Sequence, residues 1–264
     1  MRLTLLGTGT SMGVPQIGCH CAVCRSGDPR DRRSRTSALL EVAGTNILID
    51  TPPELRLQLL QAGTSHLDAV LYTHEHADHV HGIDDLRSFS LLQRHPIPLY
   101  APRATARYLQ RTFRYIFDDT VVPLDGTSKP RLTVEPIGAD SPLSIAGVEV
   151  RPIAFEHGHS QVYGYRVGPV AYLTDVKRVP PEARALLRGV RVLVLNALWW
   201  REHPTHLSIE DAIEVAQDIG AEQTLLTHLT HETGHQELLD RLPPGIAPGY
   251  DGMQVEIGRM IDDR

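Results

Sequence analysis

The chain has 264 residues, of which 22% are charged and 41% hydrophobic, an ordinary balance for a soluble globular protein. Its net charge of −6 excludes a global positive field that would draw it to nucleic acid or to an anionic membrane. No apolar run approaches the length of a membrane span, and the N-terminal segment 1–7 is too short for a signal peptide. We therefore expect a cytoplasmic protein without a membrane partner, folded as a single domain over residues 1–264.

Predicted strands and helices follow one another along the whole chain. In the first half, strands are predicted at 3–6, 38–42, 47–49 and 69–72, and helices at 53–61, 81–93 and 104–117. Residues 118–130 are polar and are predicted to be a loop. The second half is richer in strands, with helices predicted at 181–187 and 209–219. This order predicts an α/β fold of four layers, αββα, with two sheets face to face and helices outside.

The most informative segment is 73–79, Thr-His-Glu-His-Ala-Asp-His, which directly follows the predicted strand 69–72. Imidazole nitrogens and carboxylate oxygens are suitable ligands for zinc and similar divalent ions. His74 and His76 are two residues apart, so on an extended segment they point the same way. Asp78 and His79 are adjacent and point elsewhere. The spacing therefore predicts a site for two metal ions.

Two ions need more ligands than this segment offers, and later strand ends supply the candidates. His157, Asp175 and His228 each come at the end of an apolar run that is predicted to be a strand. Functional side chains are often carried in this way, on connections held by a rigid scaffold. His157 and His159 compete for one role; we favour His157 as the ligand and His159 as a substrate contact.

All three cysteines lie in the segment 19–24, Cys-His-Cys-Ala-Val-Cys. An odd number of cysteines packed into six residues does not make a disulfide framework. The spacing is one ligand short of a tetrahedral zinc site with three cysteines and one histidine. We expect a histidine from elsewhere in the chain to complete it.

These features, together with the segment 6–10, Leu-Gly-Thr-Gly-Thr, resemble the metallo-β-lactamase superfamily over nearly the whole chain. The resemblance implies the αββα fold and a dinuclear centre. The ligands that it implies for the first ion are His74, His76 and His157. Those that it implies for the second ion are Asp78, His79 and His228, with Asp175 between the two ions. Such ligands accept zinc, manganese or iron, so the identity of both ions stays open.

The segment 7–19, which runs into the cysteines, is similar to the phosphoribosyl cyclic phosphate phosphodiesterases of that superfamily. In those enzymes a separate structural zinc is bound by three cysteines and by a histidine shortly after the last catalytic one. The ligands implied here are Cys19, Cys21, Cys24 and His231, with His20 and His235 as alternatives for the histidine. The segment 204–208 also resembles that family, which implies that His206 is a general acid or a phosphate contact.

The function implied is hydrolysis of a small phosphodiester, such as 5-phosphoribosyl 1,2-cyclic phosphate, by a hydroxide that bridges the two ions. His206 would protonate the leaving oxygen, and Asp78 would belong to the catalytic centre. Basic residues should hold a second, non-reacting phosphate, and Arg35 and Arg87 are the candidates.

Three alternatives remain. A tRNA 3′-processing nuclease would need a protruding arm and a basic tract, whereas residues 118–130 are too few and too acidic. A thioester or lactone hydrolase would use the same metals. A non-catalytic metal-binding module would not need ligands for a second ion. We expect a small phosphorylated substrate rather than nucleic acid, and the sequence leaves a homodimer open.

Overall fold

The protein is described from a computed structural model, which covers residues 1–139 and 141–258. The strands are β1 (Arg2–Gly7), β2 (Ser37–Val42), β3 (Thr45–Ile49), β4 (Ala69–Leu71), β5 (Ile97–Pro102), β6 (Leu132–Ile137), β7 (Leu143–Ile145), β8 (Val148–His157), β9 (Ser160–Val167), β10 (Val170–Leu173), β11 (Val192–Asn196), β12 (Gln223–Thr227), β13 (Ile246–Pro248) and β14 (Met253–Glu256). The helices are α1 (Leu55–Ala62), α2 (Ala77–Val80), α3 (Leu86–Gln93), α4 (Arg103–Thr112), α5 (Arg114–Phe117), α6 (Pro181–Leu187), α7 (Ile209–Ile219) and α8 (His235–Arg241).

The strands form two seven-stranded sheets with the orders β14-β1-β2-β3-β4-β5-β6 and β13-β12-β11-β10-β9-β8-β7. In each sheet one half is antiparallel, and the other half, β3 to β6 or β10 to β13, is parallel. The carboxyl ends of parallel strands meet at one edge of a sheet, where ligands of open α/β sheets bind. Both sheets therefore offer such an edge.

Three apolar clusters lie between the layers of sheets and helices. The middle cluster joins residues of both sheets, such as Ile49 and Val194. A second cluster lies between the first sheet and its helices and includes Leu109 of α4. The third lies between the second sheet and its helices and includes Val215 of α7. The predicted four-layer αββα fold is confirmed.

The local sequence explains why strands and helices form where they do. Strands β3, β4, β10 and β11 are buried along their whole length, and their continuous apolar runs are typical of sheets covered on both faces. Helix α7 begins after Ser208, whose side chain accepts from the backbone N–H of Asp211 in a capping box. This cap fixes the chain directly after His206.

Two predicted helices are interrupted. The segment predicted as a helix over 81–93 forms a 3-10 turn (Ile83–Asp85) and α3, and the separate helix α2 precedes it. The break lies at Gly82, where a Cβ atom would come within 2.1 Å of the Pro52 carbonyl oxygen, so only glycine allows this close backbone approach. The predicted helix over 104–117 breaks at Phe113, which leaves the helical conformation. Residues 118–130 form turns and irregular chain, as predicted.

None of the helices in residues 1–139 and 141–258 is long and apolar enough to cross a lipid bilayer.

Candidate metal centre and substrate cavity

The candidate ligands from both sheets come together at the strand ends. His74 lies shortly after β4, His157 ends β8, Asp175 lies just after β10, and His228 directly follows β12. Their nitrogen and oxygen atoms form groups in which all donors lie within 4.8 Å of one another. The meeting of the strand ends thus produces one compact polar centre from residues that are far apart in sequence.

The first group consists of His74, His76 and His157. Their ring centroids are 4.5 Å apart for His74 and His76, 5.2 Å for His74 and His157, and 5.1 Å for His76 and His157. These are the three residues that the superfamily resemblance implied for the first ion. His159, the competing histidine, is exposed and lies outside this group.

The second group consists of Asp78, His79 and His228. Asp78 Oδ2 is 3.3 Å from His79 Nε2 and 3.8 Å from His228 Nε2. Asp175 lies between the groups: its Oδ2 is 3.4 Å from His79 Nε2, and its Oδ1 is 3.3 Å from His228 Nε2. It also shares a donor group with His74, so its carboxylate faces both sets of histidines.

Unpartnered nitrogens show that this centre fits cations. Nε2 of His74, Nε2 of His79 and both ring nitrogens of His228 are buried and have no hydrogen-bond partner among the described residues. A buried polar atom left unsatisfied costs about 1–3 kcal/mol. Divalent ions would satisfy several of these atoms at once. The residues present therefore suit two divalent cations, and the ligand assignment itself stays a prediction.

Hydrogen bonds behind the ligands set their orientation. His79 Nδ1 donates to Asp50 Oδ2 at 2.8 Å, because a carboxylate can only accept. His157 Nδ1 likewise donates to the Thr205 carbonyl oxygen at 3.2 Å. In both rings Nε2 is then free to face the other donors, as is usual for metal-binding histidines.

Asp50 is fully buried directly after β3, and its carboxylate also accepts from the backbone N–H and the hydroxyl of Thr73, both at 2.8 Å. This residue was not predicted from the sequence. The available signal was its place directly after an apolar strand, the same signal that identified Asp175.

Three residues of this centre have an unusual backbone conformation. Asp50, Asp175 and His228 have φ angles of 61°, 60° and 58°. The left-handed region is uncommon for residues other than glycine and costs about 1–3 kcal/mol where the structure enforces it. All three residues directly follow or lie next to a strand end in this centre, and such conformations cluster at functional sites.

The electrostatics differ between the histidines of the two groups, while Asp175 between them is ionised. Burial lowers the pKa of His74 well below its usual range, which keeps the ring neutral and able to bind a metal. Burial acts to raise the pKa of Asp175, but His228 and His79 outweigh it and hold that pKa well below the usual range. For His79 burial acts to lower the pKa, but Asp78, Asp175 and Asp50 outweigh it and raise it.

His206 lies against the same centre. Its Nε2 is 2.9 Å from Asp175 Oδ1, and its ring centroid is 5.0 Å from that of His157 and 4.9 Å from that of His228. Burial lowers its pKa, and the hydrogen bond with Asp175 partly opposes this. A second histidine, His203, approaches His206 Nδ1 at 3.1 Å. His203 was not predicted from the sequence, where its spacing of three residues from His206 was the available signal.

A cavity of about 740 Å³ opens over this centre. Its floor is formed by the candidate catalytic side chains, among them His76, Asp78, His157, Asp175, His206 and His228. The lining also includes Met12, Gln16, His159, Leu198, Trp199 and Glu232. His159 thus lines the cavity, where a substrate contact was predicted.

The two arginines expected to hold a second phosphate do not line the cavity, as far as the described residues show. Arg87 forms an ion pair with Asp84 and donates to the Ser128 carbonyl oxygen at 3.2 Å. Arg35 forms an ion pair with Glu54. Arg87 as a substrate contact stays a prediction, and in this structure its guanidinium is engaged by partners close to it in the fold.

The cysteines form a separate centre with His231. Cys19 Sγ and Cys21 Sγ are each 3.3 Å from His231 Nδ1, and Cys24 completes a group of four donors within 4.8 Å. Hydrogen bonds, first from the Cys24 backbone, lower the pKa of Cys21 to about 6, which favours the thiolate. This donor set suits a closed tetrahedral zinc. Of the three candidate histidines, His231 is the one grouped with the thiols.

Comparison with known proteins identifies the family. Residues 45–229, more than half of the chain, match the family model described as a beta-lactamase superfamily domain. The chain belongs to the metallo-β-lactamase superfamily. The predicted membership is confirmed, and with it the fold expected from the sequence.

The individual relatives are enzymes of different names. A crystal structure described as a new diphosphatase from the PhnP family is 38% identical with a TM-score of 0.89, and the match covers 97% of this chain and 98% of that one. A protein of Porphyromonas gingivalis named octanoyltransferase is 44% identical over 97% of this chain, which spans only 52% of that protein. A ribonuclease Z of Methanopyrus kandleri is 26% identical over 88% of this chain and 94% of that protein. By these similarities the chain is a metallo-β-lactamase superfamily hydrolase.

Proposed function

We propose that this superfamily hydrolase is a phosphodiesterase that depends on two divalent metal ions, zinc or manganese, and cleaves small phosphodiesters, cyclic ribose phosphates among them. The observation that supports it most is the pair of donor groups joined by Asp175, with unpartnered nitrogens beneath a cavity and His206 beside them. A further zinc on the cysteines and His231 would have a structural role.

The chemistry of a phosphodiester explains why such a centre is suitable. Its negative charge resists attack by water. Two divalent ions, when bound, supply a hydroxide at neutral pH and neutralise charge on the phosphate. The first group, with His157, and the second, with Asp78, would hold one ion each, and Asp175 would contact both.

The remaining task of the protein is to protonate the leaving group. An alkoxide is a poor leaving group unless it receives a proton, and a histidine is suited to donate one near neutral pH. We assign this role to His206, whose ring is oriented by the contact of its Nε2 with Asp175. His159 lines the cavity and would contact the substrate.

The similarity to a PhnP-family diphosphatase favours a second candidate, the cleavage of a diphosphate linkage between two organic groups. It would use the same ligands and the same acid. The two candidates differ in the bond that breaks, P–O–C or P–O–P. Comparing a cyclic nucleotide with a dinucleoside diphosphate as substrates separates them.

The test of the proposal is hydrolysis of bis-p-nitrophenyl phosphate by protein supplied with zinc or manganese. We expect the diester to be cleaved faster than p-nitrophenyl phosphate, and Asp78→Ala to lose more than about tenfold in kcat/KM. His206→Ala should lose more than about tenfold on a diester with an alkoxide leaving group and less on bis-p-nitrophenyl phosphate, because p-nitrophenolate leaves without protonation. Unchanged activity in both variants would refute catalysis by this centre. A salt-dependent gel shift with transfer RNA would instead support the nuclease alternative. Faster cleavage of thioesters or lactones than of the diester would support a thioester or lactone hydrolase.

A further inference from the structure

The segment 6–10, Leu-Gly-Thr-Gly-Thr, begins in β1 and continues past its end, and the proposed chemistry gives it no role. Its Thr8 is fully buried. A Cβ atom at Gly7 would come within 2.0 Å of the Arg35 carbonyl oxygen, so glycine is required for this close approach of two backbone segments. The approach packs Thr8 against residues 33–35.

Every polar atom of Thr8 has a partner. Its Oγ1 lies 2.8 Å from Asp251 Oδ1 and 3.0 Å from Arg33 Nη1. A carboxylate only accepts and a guanidinium only donates, so the hydroxyl donates to Asp251 and accepts from Arg33. The backbone N–H of Thr8 donates to the same Asp251 oxygen at 2.9 Å, and its carbonyl oxygen accepts from the Leu229 N–H at 2.9 Å. The hydroxyl therefore joins two side chains of opposite charge.

The two charged partners of Thr8 are themselves held in place. Arg33 is 2% exposed, and its Nη1 also donates to the Gly249 carbonyl oxygen at 2.5 Å. Burial lowers the pKa of Arg33 to about 10, so the guanidinium is charged at neutral pH. Asp251 Oδ2 accepts from the backbone N–H and the hydroxyl of Ser34, both at 2.6 Å. Removing one partner of such a pair leaves the other charge uncompensated, which is strongly unfavourable in a buried site.

The backbone partner of Thr8 belongs to the segment that carries two candidate ligands. Leu229 donates to the Thr8 carbonyl oxygen and accepts from the Thr10 N–H at 3.2 Å. It directly follows His228, which has a left-handed φ angle of 58°, and it precedes His231 by two residues. The position of Thr8 therefore affects one donor of the second histidine group and one donor of the cysteine centre.

We infer that Thr8 is a positioning residue for the segment 228–231. Arg33 and Asp251 fix its hydroxyl, and the segment supplies one ligand to the second ion and one to the cysteine zinc. This inference rests on the proposed function and deepens it. The role is selective, because the donors of the first ion come from other parts of the chain, namely His74, His76 and His157. A side chain that only stabilised the fold would affect the three ions alike.

The direct test is Thr8→Val, which keeps the shape of the side chain and removes the hydroxyl between Arg33 and Asp251. Anomalous diffraction from crystals equilibrated with zinc buffered by a chelator measures the occupancy of each site separately. We expect the free zinc concentration at half occupancy to rise by about tenfold or more for the second ion and for the cysteine zinc. For the first ion it should rise by at most about threefold, since none of its ligands lies in the segment 228–231. Equal changes at all three sites, or no change at the second ion and the cysteine zinc, would overturn the inference.

Two milder variants keep the test decisive if Thr8→Val does not fold. Thr8→Ser retains the hydroxyl, so the native occupancies should return at all three sites. Arg33→Lys retains the charge but replaces the planar fork by a single ammonium, which does not reproduce its hydrogen bonds. We expect Arg33→Lys to weaken the second ion and the cysteine zinc more than the first ion. Native occupancies in Arg33→Lys, or weakened ones in Thr8→Ser, would contradict the role of the hydroxyl.

Ser90→Ala is the matched control. Ser90 is buried, and its hydroxyl joins α3 to the start of β6: it donates to the Arg87 carbonyl oxygen at 3.0 Å and accepts from the Arg131 N–H at 3.1 Å. Removing it should lower Tm without changing the relative zinc affinities of the three sites. A selective loss of the second ion and the cysteine zinc in Ser90→Ala would show that any buried hydroxyl has this effect, and would overturn the inference.

The native chain, measured in the same way, separates this inference from the proposed function. If native crystals bind no ions at the histidine groups, the proposed function fails and the inference fails with it. If the native chain binds both ions and cleaves bis-p-nitrophenyl phosphate, but Thr8→Val has native occupancies, only the inference fails. Selective loss in Thr8→Val, with recovery in Thr8→Ser, supports both.

Discussion

The two candidate metal centres differ in donors, support and access. The histidine and aspartate centre takes its donors from strand ends of both sheets, and its ligands are held from behind by Asp50 and by the Thr205 carbonyl. It opens into a large cavity. The cysteine centre takes three donors from one loop and the fourth, His231, from the segment after β12. Its four donors would complete the coordination of one tetrahedral zinc ion and leave no position for a substrate.

We propose that the first centre serves catalysis and the second serves stability, although the two are joined. His228 and His231 are three residues apart on the same segment. Leu229 between them exchanges backbone hydrogen bonds with Thr8 and Thr10. The cysteine centre therefore secures the segment that presents His228. Loss of the cysteine centre should therefore affect the catalytic centre only indirectly.

The largest effect is expected from Asp78→Ala, which removes one donor of the second group and leaves the cysteines untouched. We expect kcat/KM on bis-p-nitrophenyl phosphate to fall by more than about a hundredfold, since even residues behind the ligands contribute about 10–100-fold in metal sites. Elemental analysis should show that the zinc on the cysteines is retained. Loss of that zinc together with activity would mean that the centres are not separable.

A smaller effect is expected from Asp50→Asn, which keeps the shape of the side chain and removes its charge. The amide is a weaker partner for His79 Nδ1–H, so the ring is held less firmly. We expect kcat/KM to fall by about 10–100-fold, with metal affinity reduced at the second group. Thr73→Val, which removes one of the other hydrogen bonds to Asp50, is a milder comparison. Full activity of Asp50→Asn would show that the charge of Asp50 is not needed to hold His79 for catalysis.

Cys24→Ser is expected to reduce the stability of the protein more than its activity. The free energy of unfolding should fall by about 2 kcal/mol or more, since binding of a structural zinc contributes directly to folding. The loss should lower Tm by roughly 2–4 °C per kcal/mol. We expect kcat/KM to fall by less than about tenfold when the catalytic metals are supplied in excess. Thermal unfolding with and without a chelator measures the first effect. A variant as stable as the native chain would show that the cysteines bind no structural metal.

The smallest effect concerns pH and the segment behind the cysteines. Burial, followed by Arg33 and Arg30, lowers the pKa of His235 to about 4. The unfolded state, with a pKa of about 6.5, then binds more protons than the folded state between these two values. Stability should therefore decrease as the pH falls from about 6.5 to 4, by about 1 kcal/mol. His235→Gln should flatten this slope in urea unfolding; an unchanged slope would assign it to other groups.

Strand ends were the part of the site that the sequence could predict. His157, Asp175 and His228 each follow an apolar run, and the fold brings the carboxyl ends of such strands together. Asp50 obeys the same rule, but an aspartate after a strand is common for other reasons, and only its contact with His79 shows its role. The fold itself was predictable from the order of strands and helices, whereas the break at Gly82 depends on contact with Pro52, a distant backbone segment.

Loop residues could not be predicted in this way. The cavity lining includes His203, Trp199 and Glu232. Tertiary packing places their loops there, and the spacing of apolar residues in the sequence does not predict the position of a loop. Arg87 shows the converse: its positive charge suggested phosphate binding, but Asp84, three residues before it, engages the guanidinium. That spacing was visible in the sequence. A positive charge in the sequence does not identify a phosphate-binding residue, because a neighbouring carboxylate can already engage it.

The most direct test of the account is anomalous diffraction from crystals of the protein grown with zinc. The account predicts three ions per chain. Two should lie close together among the histidine groups, both in contact with Asp175, and the third should lie on the sulfur atoms of the cysteines with His231. A single ion among the histidines, or two ions without contact to Asp175, would contradict the central claim that these strand ends build a dinuclear hydrolytic centre.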